Sequence, residues 1–317
     1  MKAVCKTVYG LYYPETRAIV DALWSERPHA WYERNYTGTQ DAMHRPFFET
    51  WRAWSRDAGV TLGDAFTFEY PTAGANEAIH ALLALHATRG GKRIHVFRGE
   101  YEGYSILARA LGLGVVEHDR APDAHRASLL REAAEGDRIW VSQPSGIDGN
   151  VWEELSSLVD WVSSALPGVE VIVDITYVGA VARDFAIDLR APNVAAVLFS
   201  LSKPFGVYYH RIGGVLSRTE VPTLRGHHWF KNLFSVHLGE RLLAHHAARD
   251  LPSKYGVRQR EALTGAIAAG DAPKGAVASD VIMLAHAPPR DAAFAEYRRG
   301  DGLRFCLSPA IDRMINP

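Results

Sequence analysis

Three polar residues of this 317-residue chain stand where strongly apolar runs end. Asp174 closes VIVD, Lys203 follows VAAVLFSLS, and Arg211 stands in HRIGG beside two glycines. Open α/β sheets bind ligands at such strand ends. Taken singly, Asp174 reads as a turn cap and Lys203 as a solvated lysine. Taken together they point to chemistry. A carboxylate at the end of an apolar strand is costly to bury unless a cation meets it. A buried lysine can lose its proton more easily and attack an aldehyde. An arginine fork suits a phosphate, and the neighbouring glycines let a ligand approach the backbone. The turn TAGAN at 72–76 opens a predicted helix, whose free N–H groups form a further phosphate seat.

A nucleophilic lysine, an acid to keep a pyridinium protonated, and a phosphate cradle are the parts that pyridoxal phosphate needs. The same segments carry a family resemblance. SLSKPFGVYYHRIGG resembles the lysine motif of the pyridoxal-phosphate-dependent aspartate aminotransferase superfamily (fold type I, class I/II aminotransferase-like), S-x-S-K with an Arg eight residues on. DITY resembles the D-x-x-Y of that family, and PTAGANEAI its phosphate-binding turn. FRGEYEGY resembles the segment that supplies a ring-stacking aromatic, and GLRFCLSP the strand whose Arg grips a substrate carboxylate. The resemblance runs in order from about residue 66 to 310.

The resemblance implies that Lys203 holds pyridoxal 5'-phosphate as an internal aldimine. Ser200, Ser202 and Arg211, with Gly74, Ala75 and Asn76, would contact the phosphate. Asp174 would pair with the ring nitrogen, Tyr177 with the ring hydroxyl, and Tyr101 would stack on the ring. Lys203, Asp174 and Tyr177 are thus the expected catalytic residues, and Arg304 the expected partner of the substrate α-carboxylate. Tyr36, in ERNYTG, could reach a neighbouring subunit's phosphate; a packed surface tyrosine is the plainer reading. One departure concerns the family's N-P-S-N-P-T-G-N, which reads QPSGIDGN here. The Asn that touches the ring hydroxyl falls on Gly146, which leaves Tyr177 as the main partner there and Gln143 or Asn150 to compensate. The C-terminal domain is also shorter than the family pattern.

The implied reaction is transamination of an L-amino acid, with Lys203 moving the α-proton and hydrolysis releasing an oxo acid. β- or γ-elimination, replacement, cyclisation or oxidation share the α-proton step, so the cofactor motifs leave them open. A non-catalytic binding protein on this fold is disfavoured by the intact Lys203, Asp174 and Arg211 set. No second arginine stands out as placed for a dicarboxylate.

The elements that must position these residues follow from periodicity. Strands are predicted over RIHVF, DRIWVS, VEVIVD and VAAVLFS, with helices between them, and this alternation predicts an α/β fold. The expected architecture is a large domain with a mostly parallel, seven-stranded-type sheet flanked by helices, plus a small, reduced C-terminal α/β domain. The expected divisions are a segment at 1–60 for dimer or small-domain packing, a cofactor domain at 61–235, and an interdomain helix with a small domain at 236–317. A helix over RPFFETWRAWSR carries Phe47, Phe48, Trp51 and Trp54 at helical spacing, for the core or a dimer interface. After Lys203, long helices, a strand in SDVIMLAHA, a helix in RDAAFAEYRR and a strand in GLRFCLS are expected.

Composition bounds the rest. Apolar residues make up 47%, charged residues 22%, and the formal net charge is -1, which gives no basis for a nucleic-acid or anionic-membrane partner. Cys5 and Cys306 stand at opposite ends of the sequence and form no disulfide framework. With no signal-peptide core or long apolar run, a cytoplasmic location is expected; the aromatic N-terminal region and the family resemblance imply a homodimer. Among the 14 histidines, the adjacent pairs His227–His228 and His245–His246 do not face one ligand, so no metal site is expected. Ser142 and Ser145 lack a nucleophile-elbow context, and Trp229 and Phe230 are expected in packing.

Overall fold

The computed structural model describes residues 3–26, 41–289 and 292–317. The apolar runs pair into strands β2 (Phe68–Thr72), β3 (Arg93–Phe97), β4 (Gly114–His118), β5 (Arg138–Ser142), β6 (Glu170–Asp174), β8 (Val194–Ser200) and β9 (Gly213–Ser217). Two short strands, β1 (Val60–Thr61) and β7 (Ile187–Asp188), pair separately. The large sheet has seven strands in the order β2-β9-β8-β6-β5-β3-β4, and only β9 runs against the others. β6 and β8 are buried along nearly their whole length, which is why they read as continuous apolar runs rather than alternating ones. This is the mostly parallel α/β architecture that the alternation predicts.

β9 is legible only in three dimensions. A Cβ on Gly213 would stand 2.4 Å from the Phe199 carbonyl oxygen and 2.8 Å from Gly74 Cα. Glycine there lets the strand before Lys203 and the turn at Gly74 come together around β9. The helix Asp41–Asp57 lays its aromatic stripe on the same region, with Trp51 stacked on Phe199 at 4.1 Å and 17°. Phe47, Phe48, Trp51 and Trp54 are buried within the chain's own core.

The C-terminal part contains helices Leu233–His245 and Asp250–Ala268 and a four-stranded antiparallel sheet. Its strands are β10 (Val277–Ala278), β11 (Leu284–Ala287), β12 (Arg298–Arg299) and β13 (Gly302–Cys306), in the order β10-β11-β13-β12. The helix expected in RDAAFAEYRR is instead a 3-10 stretch, Ala292–Tyr297, followed by β12. Phe294 leaves helical geometry, and Phe294 and Tyr297 both turn their rings onto Phe305 of β13, at 5.9 and 4.8 Å. Packing on the neighbouring strand overrides local helix preference.

The described residues from 3 to 13 form a strap across the loop after β8. Cys5 and Cys306, far apart in sequence, exchange backbone hydrogen bonds of 3.0 and 2.9 Å, and both thiols are free. The strap continues past the loop after β8, where Gly10 packs on the Ser202 carbonyl. Ser308 donates its hydroxyl to the Tyr9 carbonyl at 2.8 Å, and Asp312 accepts the Tyr12 N–H at 2.9 Å. Among the described residues, no helix is long and apolar enough to cross a membrane.

Gly206 marks the tightest point of this contact. Its φ is +68°, and a Cβ would lie 1.8 Å from the Leu11 carbonyl oxygen. Gly206→Ala is expected to cost roughly 2–4 kcal/mol in a denaturant titration, from left-handed strain plus a backbone clash. Gly265→Ala, in a helix with nothing within 4 Å of the new methyl, is expected to stabilise by about 0.5–1 kcal/mol. Equal midpoints for the two variants would show that the strap does not dock at Gly206.

Candidate active site

The ends of β2, β5, β6 and β8 surround a cavity of about 240 Å³. One end is built to receive an anion. Gly74, with φ +79°, leads from β2 into the helix Ala75–Thr88, and no side chain caps that helix N-terminus. Ala75 and Asn76 of its first turn line the cavity. Arg211, itself left-handed at φ 51°, reaches back to donate to the Ala73 carbonyl at 2.8 Å. A Cβ on Gly74 would stand 2.7 Å from the Arg211 guanidinium, so only glycine leaves this cradle open. Ser200 and Ser202, joined by a hydroxyl hydrogen bond of 2.9 Å, complete the wall. A helix N-terminus, a guanidinium and two hydroxyls together suit a phosphate. The six expected phosphate residues thus meet at one place.

Lys203 lies in the turn after β8 and lines the cavity beside them. Its amine donates to the Val8 carbonyl of the strap. Burial lowers its pKa to about 8, and the Arg211 and Arg304 charges push in the same direction. Roughly a tenth of the amine is therefore unprotonated at pH 7, far more than for an ordinary lysine.

Asp174 is 7% exposed. Tyr104 donates its hydroxyl to it at 2.8 Å, and the Thr176 N–H donates at 2.9 Å. Burial raises its pKa, because these partners do not replace a counter-ion. The sequence reading did not single out Tyr104; its spacing, three residues after Tyr101 at a helix start, is the signal that could have found it. Tyr101 stands at the N-cap of the helix Glu102–Ala110, its ring edge-on to Tyr104 at 5.6 Å and 87°. A Cβ on Gly103 would lie 2.3 Å from the Tyr101 ring, so this glycine makes room for it. Tyr177 lines the cavity, with burial pushing its phenol up to about 12 against the Arg304 charge.

Arg304, on β13, is 6% exposed and donates to the Gly146 carbonyl, while its buried Nε has no partner. Arg299, on β12, also lines the cavity. It pairs with Glu102, and its Nε is likewise buried without a partner. A second arginine, from the dipeptide Arg298–Arg299, therefore reaches the cavity, already paired with an acid. Gly146 lines the cavity, but neither residue considered as its replacement does. Gln143 spends both ends of its amide on the Trp152 backbone, and Asn150 accepts the Asp280 N–H.

Tyr36 lies outside the described residues, as does the side chain of Phe230; Trp229 is 44% exposed. His227 and His228 do turn to different partners, Pro71 and Asp41. His228, His44 and Asp41 nevertheless bring one ligand atom each within 4.8 Å of the others, a grouping across elements that adjacent-pair reasoning does not reach. The cavity itself suits a phosphate ester that carries a carbonyl for Lys203 and a basic nitrogen for Asp174.

A family model described as aminotransferase class I and II matches residues 70–237. The histidinol-phosphate aminotransferase of Thermosynechococcus vestitus is 29% identical over 155 residues, which cover 47% of this chain and 41% of that protein. The tyrosine aminotransferase of Rhizobium meliloti is 27% identical over 189 residues, covering 53% and 47% respectively. The chain thus spans less than half the length of either curated relative. The pyridoxal-phosphate-bound C-S lyase of Staphylococcus hominis superposes with a TM-score of 0.74 at 13% identity, over 97% of this chain and 84% of that one, a likeness of fold. The family match covers more than half of the chain and takes in the phosphate turn, Asp174 and Lys203; this chain belongs to the class I and II aminotransferase family.

Proposed function

We propose that this chain is a pyridoxal 5'-phosphate-dependent aminotransferase acting on an L-amino acid, with Lys203 as the residue that carries the cofactor. The observation that carries the reading is the half-buried Lys203 amine, its pKa lowered to about 8, set between an anion cradle and a buried carboxyl. When bound, pyridoxal phosphate supplies a carbonyl that condenses with amines and a ring that withdraws electrons from the substrate Cα.

The chain's own residues do the rest. Gly74, Ala75, Asn76, Ser200, Ser202 and Arg211 hold the phosphate through backbone N–H groups, hydroxyls and one guanidinium. Asp174 supplies the anion that keeps the ring nitrogen protonated, and Tyr104 and Thr176 hold that carboxylate in place. Tyr177 donates to the ring hydroxyl, and Tyr101 covers the ring face. Arg304, with a buried N–H still unmet, binds the substrate α-carboxylate. Lys203 takes the α-proton. Arg299 and Glu102 flank the place of the substrate side chain.

The proposal includes a homodimer, a cytoplasmic location and the divisions 1–60, 61–235 and 236–317. Exposed Tyr12, Tyr208 and Tyr209 around one cleft support an interface, and the two free thiols support a reducing compartment. The separation of the two sheets supports the division near 235.

Three outcomes are expected. Incubation with pyridoxal phosphate and borohydride should leave a stable adduct on Lys203 by mass spectrometry, and Lys203→Ala should lose it; an adduct on another lysine would displace Lys203 from its role. Asp174→Asn should retain cofactor but lose at least about 100-fold in turnover, a few kcal/mol of transition-state stabilisation. Near-normal turnover would reduce Asp174 to a cap for Thr176. Light scattering at micromolar concentration should give a dimer; a fully active monomer would defeat that assignment. Turnover should be assayed with a 2-oxo acid acceptor, because amino transfer then separates transamination from elimination.

A further inference from the structure

Glu100 is a carboxyl that the proposed reaction does not use. It precedes Tyr101 and is 7% exposed. Its Oε2 lies 2.5 Å from the Ser142 hydroxyl, and its Oε1 accepts the Ser142 N–H at 3.1 Å. Ser142 ends β5, lines the cavity and pairs across the sheet with Asp174 of β6. The same hydroxyl oxygen accepts the Gly146 N–H at 2.6 Å. A Cβ on Gly146 would stand 3.1 Å from Ser142 Oγ and 3.4 Å from Glu100 Oε2. The pair therefore occupies the space beside Gly146 that a side chain there would need.

The charged groups acting on Glu100 are few. Burial dominates and raises its pKa to about 7; the Ser142 hydrogen bonds and the Arg120 charge oppose this, and Asp174 adds to it. Arg120 is itself paired with Asp148 at 3.1 Å. Two neighbouring buried carboxyls are costly to ionise together. Asp174 gains a counter-ion from the ring nitrogen in the proposed function, whereas among the described residues the Glu100 carboxyl is hydrogen-bonded only to neutral groups of Ser142.

A hydroxyl has one hydrogen to give and two lone pairs to accept with. When Glu100 is protonated, it donates to Ser142 Oγ, which also accepts from Gly146. The Ser142 hydrogen is then free to point into the cavity. When Glu100 is ionised, Ser142 must donate back to it, and the cavity loses a donor. We propose that Glu100 is a positioning residue whose proton decides whether the Ser142 hydroxyl donates into the cofactor cavity or back to Glu100. The inference rests on the reading of this cavity as a pyridoxal phosphate site.

The test uses the full chain loaded with pyridoxal phosphate, with absorbance spectra recorded as pH is varied. Wild type should show a spectral transition with a midpoint of about 7. Glu100→Gln cannot ionise, and its amide can donate to Ser142 as the protonated acid does. It should lose the component that follows Glu100, while any titration of the Lys203–cofactor linkage itself remains. Ser142→Ala should also lose it, because the relay to the cavity is gone. A Glu100→Gln or Ser142→Ala titration superimposable on wild type overturns the proposal.

A second arm uses the cofactor-free chain. Glu100 is raised from the ordinary 4.5 to about 7, so between these values the folded chain keeps a proton that the unfolded chain releases. Stability from this group is fully present below the lower value and falls as pH rises towards the upper one. The thermal midpoint of Glu100→Gln relative to wild type should therefore rise across that window; a constant difference also overturns the proposal. A wild type that takes up no pyridoxal phosphate defeats the reading of the cavity itself, and the inference with it.

Discussion

An amine surrendered to a protein interior must be compensated or held there by force, and the burial of Lys203 is the constraint from which the rest of the site follows. Its loop is fixed at one end by β8, deep in the sheet, and is covered by the strap that begins before Cys5. The Val8 carbonyl gives the amine a hydrogen bond but no negative charge, so its proton remains loosely held. The close backbone contacts at Gly10 and Gly206 leave the loop little room to swing outward. The pocket thus obtains a reactive amine by covering it, without a dedicated base beside it.

The same economy governs the charges around the cavity. Arg211, Arg299 and Arg304 line the cavity; of the two buried acids near them, Asp174 lines it and Glu100 stands behind Ser142, and both are held by neutral donors. Glu102 is the acid at the mouth, already committed to Arg299. An anionic ligand is therefore favoured at the cradle and near Arg304, while a cationic ring nitrogen is favoured against Asp174. The cavity distinguishes the two ends of a ligand by charge before any shape selection acts.

Much of this was legible in the sequence because strand ends and glycines leave strong local signals. Asp174, Lys203 and Arg211 stood out against apolar runs, and the phosphate turn was marked by the glycine that opens its helix. β9 was not legible, because GGVLS lacks the β-branched density of β6 or β8 and owes its strand to the close approach at Gly213. The edge strand β4 and the helix Pro122–Glu132 carry weak patterns, as expected where little surface is buried. Glu100 and Arg299 escaped notice for a different reason. Their roles depend on partners 42 and 197 residues away, and no local spacing encodes such distances. Tyr104 has a partner 70 residues away, and only its place one helical turn after Tyr101 marks it locally.

The bridge between Cys5 and Cys306 bears on how the site comes into being. A ribosome delivers the strap before the phosphate turn and the lysine loop, and β13 after them. Until β13 has emerged, the strap has no strand to pair with at Cys5, and Arg304 is absent from the wall. A nascent chain can thus form the parallel sheet and present Lys203 while one side of the cavity is still open. In the order of synthesis, the pairing of β13 with the strap is thus the step that brings Arg304 into the wall.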